Sequence, residues 1–189
     1  MEVSVRPHPV LTTFEHSGTG NEHRPVAVGP RMSAPTDPTR DLASVERVIA
    51  APASAIFAVL ADPSRHCEID GSGTVRSATE ASQQVTLGST FGMDMKLGIG
   101  YRMENTVIEF EPDRLIAWQT RPSIGILRRF IGGRIWRYEL EPVDGGTLVR
   151  ETWDIRQEVR PAAVRPLRSR TVDAMTTTLQ RLATVVGGA

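Results

Sequence analysis

The apolar positions near the end of the chain lay out one long helix. Val172, Met175, Leu179, Leu182 and Val186 recur at alternating three- and four-residue steps, the spacing of a single helical stripe. Thr171, Thr176, Gln180, Arg181 and Thr184 fall largely on the flanks or the far side. Pro166 suits a first turn and Gly187-Gly188 supplies a stop, so the pattern predicts a helix from about residue 166 to 186. At 1.5 Å per residue such a rod is roughly 30 Å long, enough to cross a small domain.

Upstream of it the period shortens to two. Residues 43–50 alternate, with Val45, Arg47 and Ile49 on one side and Glu46 and Val48 on the other, and Ala51-Pro52 breaks that strand. A short helix follows, with Ser54 as its expected cap and Ile56, Phe57 and Leu60 as its buried side, and Asp62-Pro63 ends it. Residues 66–80 read as an extended segment bent at Gly71 and Gly73. Residues 85–95 read as a second, with Gly88 and Gly92 to curve the sheet.

Strands at 102–111 and 114–121 flank the turn Glu111-Pro112-Asp113-Arg114. The clearest hairpin joins 134–143 to 147–156 around Asp144-Gly145-Gly146. A two-residue loop at either Asp144-Gly145 or Gly145-Gly146 puts Arg134, Trp136, Tyr138 and Leu140 on the same face as Val149, Glu151, Trp153 and Ile155. If that face looks inward, Glu151 and Arg134 are polar groups aimed into an apolar space. The order of strand, short helix, antiparallel strands and long helix is an α+β plan, a curved sheet gripping the terminal helix and leaving a cavity.

Residues 1–40 differ from this body. Six prolines are spread through them and no apolar periodicity survives past Val10-Leu11, so a mobile tail is expected, followed by one domain over 41–189. Met32 runs straight into the first strand and is the expected natural start. His8, His16 and His23 lie in this tail at irregular spacing, which leaves His66 as the histidine of the folded body.

Composition narrows the function classes. With 22 basic and 22 acidic residues the formal net charge is zero, so no global field favours nucleic acid or an anionic membrane. The cluster Arg156, Arg160, Arg165, Arg168 and Arg170 lacks interleaved aromatics and reads as a solvated surface. No apolar run approaches the ~20 residues of a membrane span. Cys67 is the sole cysteine, which rules out an internal disulfide and argues against a cysteine-built metal site. No phosphate loop, dinucleotide fingerprint, nucleophile elbow or zinc motif occurs. The expectation is a cytoplasmic protein, monomer or homodimer, with no cofactor, no metal, no nucleic-acid partner and no integral membrane association.

The stretch VERVIAAPASAIFAVLADPSRHCEIDG resembles the opening of polyketide cyclase/dehydrase-type members of the START-like (SRPBCC) superfamily, where a strand leads through Ala-Pro into a helix ending at Asp-Pro. TVIEFEPDRLIAW (106–118) and YELEPVDGGTLVRET (138–152) resemble that family's later hairpins. The resemblance runs from Leu42 to the C-terminus. It implies a helix-grip fold around a hydrophobic ligand cavity, and no single activity, because the superfamily spans carriers, cyclases, receptors and chaperone activators. Ile69 stands where members often carry Trp, which makes that wall smaller or differently shaped.

Several side chains carry candidate chemistry. His66 is the candidate general base, and Asp70, four residues on, would face the same side of an extended segment and orient the ring; the rival is a solvated loop. Glu151 with Arg134 reads either as an inward ion pair orienting a polar ligand head or as a pair at the cavity mouth. Asn105 and Glu104 occupy opposite faces of one strand, so only one of them points inward. Wall candidates are Ile69, Met93, Met95, Met103, Trp118 and Trp136. Tyr138, Trp153, Met175 and Leu179 complete that set, the alternative being ordinary core packing around the last helix.

Residues 123–133, SIGILRRFIGG, carry five large apolar side chains in a connection between strands. They read as a gate over the cavity, as a partner- or membrane-contacting surface, or as a short buried helix. The leading functional expectation is binding of a small hydrophobic molecule such as a lipid, polyketide or aromatic. The alternatives are a cyclase, aromatase or dehydratase transferring protons through His66 or Glu151, and a protein-interaction module.

Overall fold

The computed structural model describes residues 38–78 and 83–188. The tail and the start at Met32, expected for residues 1–40, concern residues 1–37 and so lie outside the described residues; Pro38–Asp41 is a single 3-10 turn.

Seven strands form one antiparallel sheet: β1 (Leu42–Ile49), β2 (Val75–Ala78), β3 (Thr90–Leu97), β4 (Ile99–Glu111), β5 (Leu115–Pro122), β6 (Arg134–Val143) and β7 (Gly146–Asp154). Their spatial order is β1-β7-β6-β5-β4-β3-β2, so β2 to β7 form a meander and β1 closes it beside β7. The sheet curls around a long terminal helix, which is the helix-grip arrangement. Register shifts between Val107 and Glu109 and between Val75 and Ser77 help it curve, since an extra residue on one strand locally bends and twists the ladder.

Among the described residues four helices accompany the sheet: α1 (Ala53–Leu60), α2 (His66–Ile69), α3 (Pro161–Val164) and α4 (Arg168–Gly187). The terminal helical run starts earlier than the apolar stripe indicates. It begins at Pro161 and passes through a 3-10 turn at Arg165–Leu167, in whose first positions Pro166 sits without needing an N–H donor. α4 then packs on β1, β7, α1 and α2.

Met175, Leu179 and Leu182 are each 1% exposed or less, while Val172 and Val186 at the ends of the stripe are only partly buried. Leu179 and Leu182 enter the main core with Ile56 and Leu60 of α1. Met175 enters a second cluster with Trp153, Ile155 and Val164. Burying these three helix side chains contributes on the order of 5–9 kcal/mol as an upper bound.

Three local expectations are corrected. Ser54 does not cap α1: Pro52 precedes the first helical residue, and no side chain accepts from the first turn. Residues 66–69 are helical, not extended, because the 3-10 turn Pro63–Arg65, capped by Asp62 through Ser64, feeds directly into α2. Gly71 is needed for close approach rather than for a bend: a Cβ there would lie 2.0 Å from the carbonyl oxygen of Ala174 on α4.

The β6–β7 hairpin pairs Val143 with Gly146, so Asp144 and Gly145 form its two-residue loop, with Gly145 at φ +87°. Arg134, Trp136, Tyr138 and Leu140 share a face with Val149, Glu151 and Trp153, and that face is the concave one.

Candidate functional site

A cavity of about 280 Å³ lies between the concave face of the sheet, α2 and the first half of α4. The register arranges the concave face of the sheet, part of which floors the cavity, into three cross-strand rows. Asn105, Thr120 and Arg134 stand opposite one another on β4, β5 and β6. Val107, Trp118, Trp136 and Trp153 form the next row, and Ile116, Tyr138 and Glu151 the third. A band of indoles therefore separates two polar rows, and alternation along each strand is what turns all three inward.

The roof comes from α4. Thr171, Ala174 and Thr178 line the cavity beside Met175, at helical spacing. These side chains are too short to fill the distance to the sheet, which is why a hollow exists there, whereas Leu179 and Leu182 reach the core one turn on. Met93, Met95 and Met103 close the side formed by β3 and β4. Ile69, Asp70 and Val75 close the end formed by α2 and β2. Tyr101 and Leu167, also in the lining, are 42% and 48% exposed, so the opening lies between the start of β4 and the turn before α4.

Two residues expected in the wall lie elsewhere. Trp153 is 1% exposed and packs with Ala43, Ile155, Val164 and Met175, because its row ends beneath the start of the terminal helix. Leu179 belongs to the main core, one turn beyond the small face of α4.

His66 lines the cavity but is no solvated loop residue: it is 6% exposed. Its Nε2–H donates to the carbonyl oxygen of Leu60 at 2.8 Å, satisfying one of the orphan acceptors at the end of α1. Its ring stacks on Trp118 with centroids 5.1 Å apart, and Phe91 meets it edge-on at 5.7 Å. Burial pulls its pKa below the ordinary value, only partly offset by the Leu60 hydrogen bond and nearby Asp62. Asp70 does not orient this ring. Its Oδ1 accepts from the backbone N–H and the hydroxyl of Ser72, and its Oδ2 from Val75 N–H, so the carboxylate holds the turn into β2 together.

The Glu151–Arg134 pair is likewise not formed. Arg134 Nε donates to Glu158 Oε2 at 3.1 Å, and the same carboxylate accepts from Gly132 N–H. The two residues stand in different rows, and Glu158 sits next to Arg134. Glu151 instead accepts from the hydroxyl of Tyr138, which donates to Oε1 at 2.8 Å. Glu151 is 2% exposed, and its Oε2 is the one buried side-chain N or O atom among the described residues with no partner. Burial raises its pKa to about 8; the Tyr138 hydrogen bond opposes the shift and the Asp70 charge adds to it. Burial and the neighbouring Glu151 also push the Tyr138 hydroxyl well above its ordinary range.

Asn105, not Glu104, points inward. It is 3% exposed and its Oδ1 accepts from Thr120 Oγ1 at 2.7 Å, while Glu104 pairs with Arg128 on the outside. Thr120, Thr171, Ala174 and Thr178 were not singled out by sequence, although Thr120 follows Trp118 at the strand period and the other three follow one helical face.

Residues 123–133 do not form a buried helix, and none of them lines the cavity. Ile124 and Ile126 are 59% and 61% exposed around a 3-10 turn at Leu127–Arg129, and Arg160 lies 5.2 Å over the ring of Phe130. Among the described residues, no helix is long and apolar enough to cross a membrane.

A curled sheet, a terminal helix and a hollow between them define a helix-grip protein with an internal cavity. The chain belongs to the family described as polyketide cyclase / dehydrase and lipid transport, whose model matches residues 42–187. It is 40% identical over 119 residues to the uncharacterized protein Rv0088 of Mycobacterium tuberculosis, a match covering 62% of this chain and 48% of the relative. The chain thus spans about half the length of that relative. Among solved structures, a protein from Arthrobacter aurescens has a TM-score of 0.63 at 14% identity, covering 84% of this chain and 92% of its own. DynU16, from the dynemicin biosynthetic locus, has a TM-score of 0.56 at 16% identity, covering 78% of this chain and 47% of its own. At such identities these likenesses speak to the fold.

Proposed function

We propose that this protein binds a compact, mainly apolar small molecule in the cavity between the sheet and α4. One observation carries the reading: Trp118, Trp136, three methionines and the small face of α4 line the hollow, and most of the surface it exposes is apolar although polar side chains are interspersed. Removing apolar surface from water drives binding to such a wall, and the polar groups fix orientation. A volume of about 280 Å³ is close to the lower end of ordinary ligand sites, roughly 300–1,000 Å³. That size suits a fused-ring aromatic or a short acyl chain better than a two-chain lipid. Native mass spectrometry of protein purified from its own host is expected to show a retained small molecule that denaturation releases. A bare protein that also gives no calorimetric signal with naphthalene would overturn the reading.

A second reading, proton transfer to a carbonyl-bearing substrate, is favoured by the Glu151–Tyr138 pair. A carboxylic acid kept protonated near neutrality in an apolar site is suited to act as a general acid. Incubation with a poly-β-keto thioester, followed by mass analysis, tests it. A cyclised or dehydrated product lost in Glu151→Gln supports catalysis, and unaltered thioester removes it.

A further inference from the structure

We propose that Glu151 is the polar recognition point of the cavity, its Oε2 donating a hydrogen bond to the acceptor oxygen of an uncharged ligand, a ketone, ester or ether. This rests on the binding reading above and specifies the chemistry that site selects.

The argument starts from the unequal carboxyl oxygens. Tyr138 O–H donates to Oε1, so Oε1 acts as the acceptor, and Oε2 is left without a partner in a side chain only 2% exposed. A buried polar atom without a hydrogen bond keeps its desolvation penalty uncompensated, and a ligand supplying the missing partner recovers it. What that partner must be follows from where the proton sits. Tyr138 stays a donor, since its hydroxyl is held well above its ordinary range. Glu151, pushed up to about 8, is mostly the neutral acid at pH 7, and with Oε1 receiving the tyrosine hydrogen its own proton belongs on Oε2. Oε2 is then a donor and calls for an acceptor.

Other residues of the lining reinforce the choice. Arg134 is engaged by Glu158, and Asp70 has both oxygens occupied by the turn it stabilises. Neither offers a ready counter-charge at Glu151. Arg170 on α4, the other cation of the lining, is exposed to solvent. A charged ligand group at the neutral acid would shed its hydration shell without an ion pair to Glu151 in return, whereas a carbonyl oxygen loses far less on leaving water. Trp118, stacked on Tyr138 at 5.4 Å between centroids, offers a flat apolar surface beside the acid, suited to the ring of an aromatic ketone.

Three probes of nearly equal size test this by titration calorimetry at pH 7: 2-acetylnaphthalene, 2-isopropenylnaphthalene and 1-(2-naphthyl)ethylamine. The ketone is expected to bind at least tenfold tighter than the hydrocarbon and tighter than the amine. Glu151→Leu is expected to abolish the ketone preference, and Glu151→Gln, whose amide N–H can donate in the same place, to keep most of it. Should Glu151→Leu not fold, the wild type at pH 9.5 serves instead, where ionised Glu151 no longer donates and the preference is expected to collapse. Equal affinity for ketone and hydrocarbon, tightest binding of the amine, or a preference unchanged in Glu151→Leu or at pH 9.5 would overturn the assignment while leaving the cavity a binding site. Failure of all three probes to bind would instead remove the binding reading on which it rests.

Discussion

The hydroxyl of Tyr138 donates to Glu151 Oε1 at 2.8 Å across the β6–β7 ladder, and the two side chains stand directly opposite each other in its register. Tyr138 in turn stacks on Trp118, and Trp118 on His66. A continuous line of contacts therefore runs across the cavity wall from the end of α1 to β7, with one titratable group of shifted pKa at each end.

At the Glu151 end, stability should fall as pH rises. The carboxyl has a folded pKa of about 8 against an ordinary 4.5, so between these values the native state holds a proton that the unfolded chain has released. The native state then binds more protons, and unfolding free energy declines through this window at about 1.4 kcal/mol per pH unit from this group alone, levelling off above it. The titratable or charged groups around the cavity are Tyr138, Tyr101, Asp70, His66, Arg134 with Glu158, and Arg170 on α4. Glu151→Gln is expected to flatten the alkaline decline and to stabilise the protein at pH 8 by on the order of 2–4 kcal/mol. Urea melts of both proteins at pH 5, 7 and 9 provide the comparison; parallel curves would mean that the carboxyl is not held neutral.

At the His66 end the sign reverses. Its folded pKa lies below the ordinary value of 6.5, so as pH falls beneath 6.5 the unfolded chain takes up a proton that the native state refuses. The stability tied to His66 is thus complete above pH 6.5 and is lost on acidification. NMR titration of the His66 ring should show a midpoint below the ordinary 6.5, the neutral imidazole carrying its hydrogen on Nε2. An ordinary midpoint near 6.5 would contradict its burial.

Gly71 should tolerate no side chain. Its backbone lies against α4, where an added Cβ would meet Ala174 O at 2.0 Å and Thr178 N at 2.6 Å, and its own N–H donates to Thr178 Oγ1 at 3.0 Å. Relief requires separating α2 from the helix, so Gly71→Ala is expected to cost about 2–3 kcal/mol. Gly73 meets nothing within 4 Å but has φ +67°, so Gly73→Ala should cost less, about 1–2 kcal/mol from backbone strain alone. Equal melting temperatures for the two variants would refute the close approach.

Glu158 should hold the connection after β5 in place. Its side chain is fully buried and accepts from both Gly132 N–H and Arg134 Nε. Glu158→Ala leaves both donors without their acceptor and is expected to cost about 2–3 kcal/mol, Arg134 being partly solvated. Hydrogen exchange at the Gly132 amide should accelerate at least tenfold, and an unchanged rate would show that another group takes over.

The chain reveals its architecture through two periods. The three- and four-residue steps of Met175, Leu179 and Leu182 mark a helix face, and the alternation through Trp136, Tyr138, Glu151 and Trp153 marks a sheet face. Each depends only on local backbone geometry, so neighbours in sequence suffice to show it. Side-chain type, flexible Met and flat Trp, picks out further residues that line the cavity, from the methionines of β3 and β4 to Trp118 and Trp136. Pattern and type fail where placement depends on a turn or on the layer opposite. His66 was misplaced because the turn at Pro63–Arg65 starts a helix whose ring binds a carbonyl six residues back. The small face of α4 went unnoticed because a row of Thr and Ala becomes a cavity roof only when a sheet stands opposite.

The hairpin at Asp144-Gly145-Gly146 draws that line most sharply. Sequence determined which face Glu151 occupies, because both possible two-residue loops leave the alternation intact. The alternative loop would pair Glu151 with Leu140; the one adopted pairs it with Tyr138. That choice was made by tertiary structure, which fits β7 between β6 and β1 and places Val45 on the other side of Glu151. A shift of two residues keeps every side chain on its face and changes every partner. The composition of the cavity is therefore written in the sequence, while the hydrogen bond that sets the chemistry of its buried acid is decided by packing.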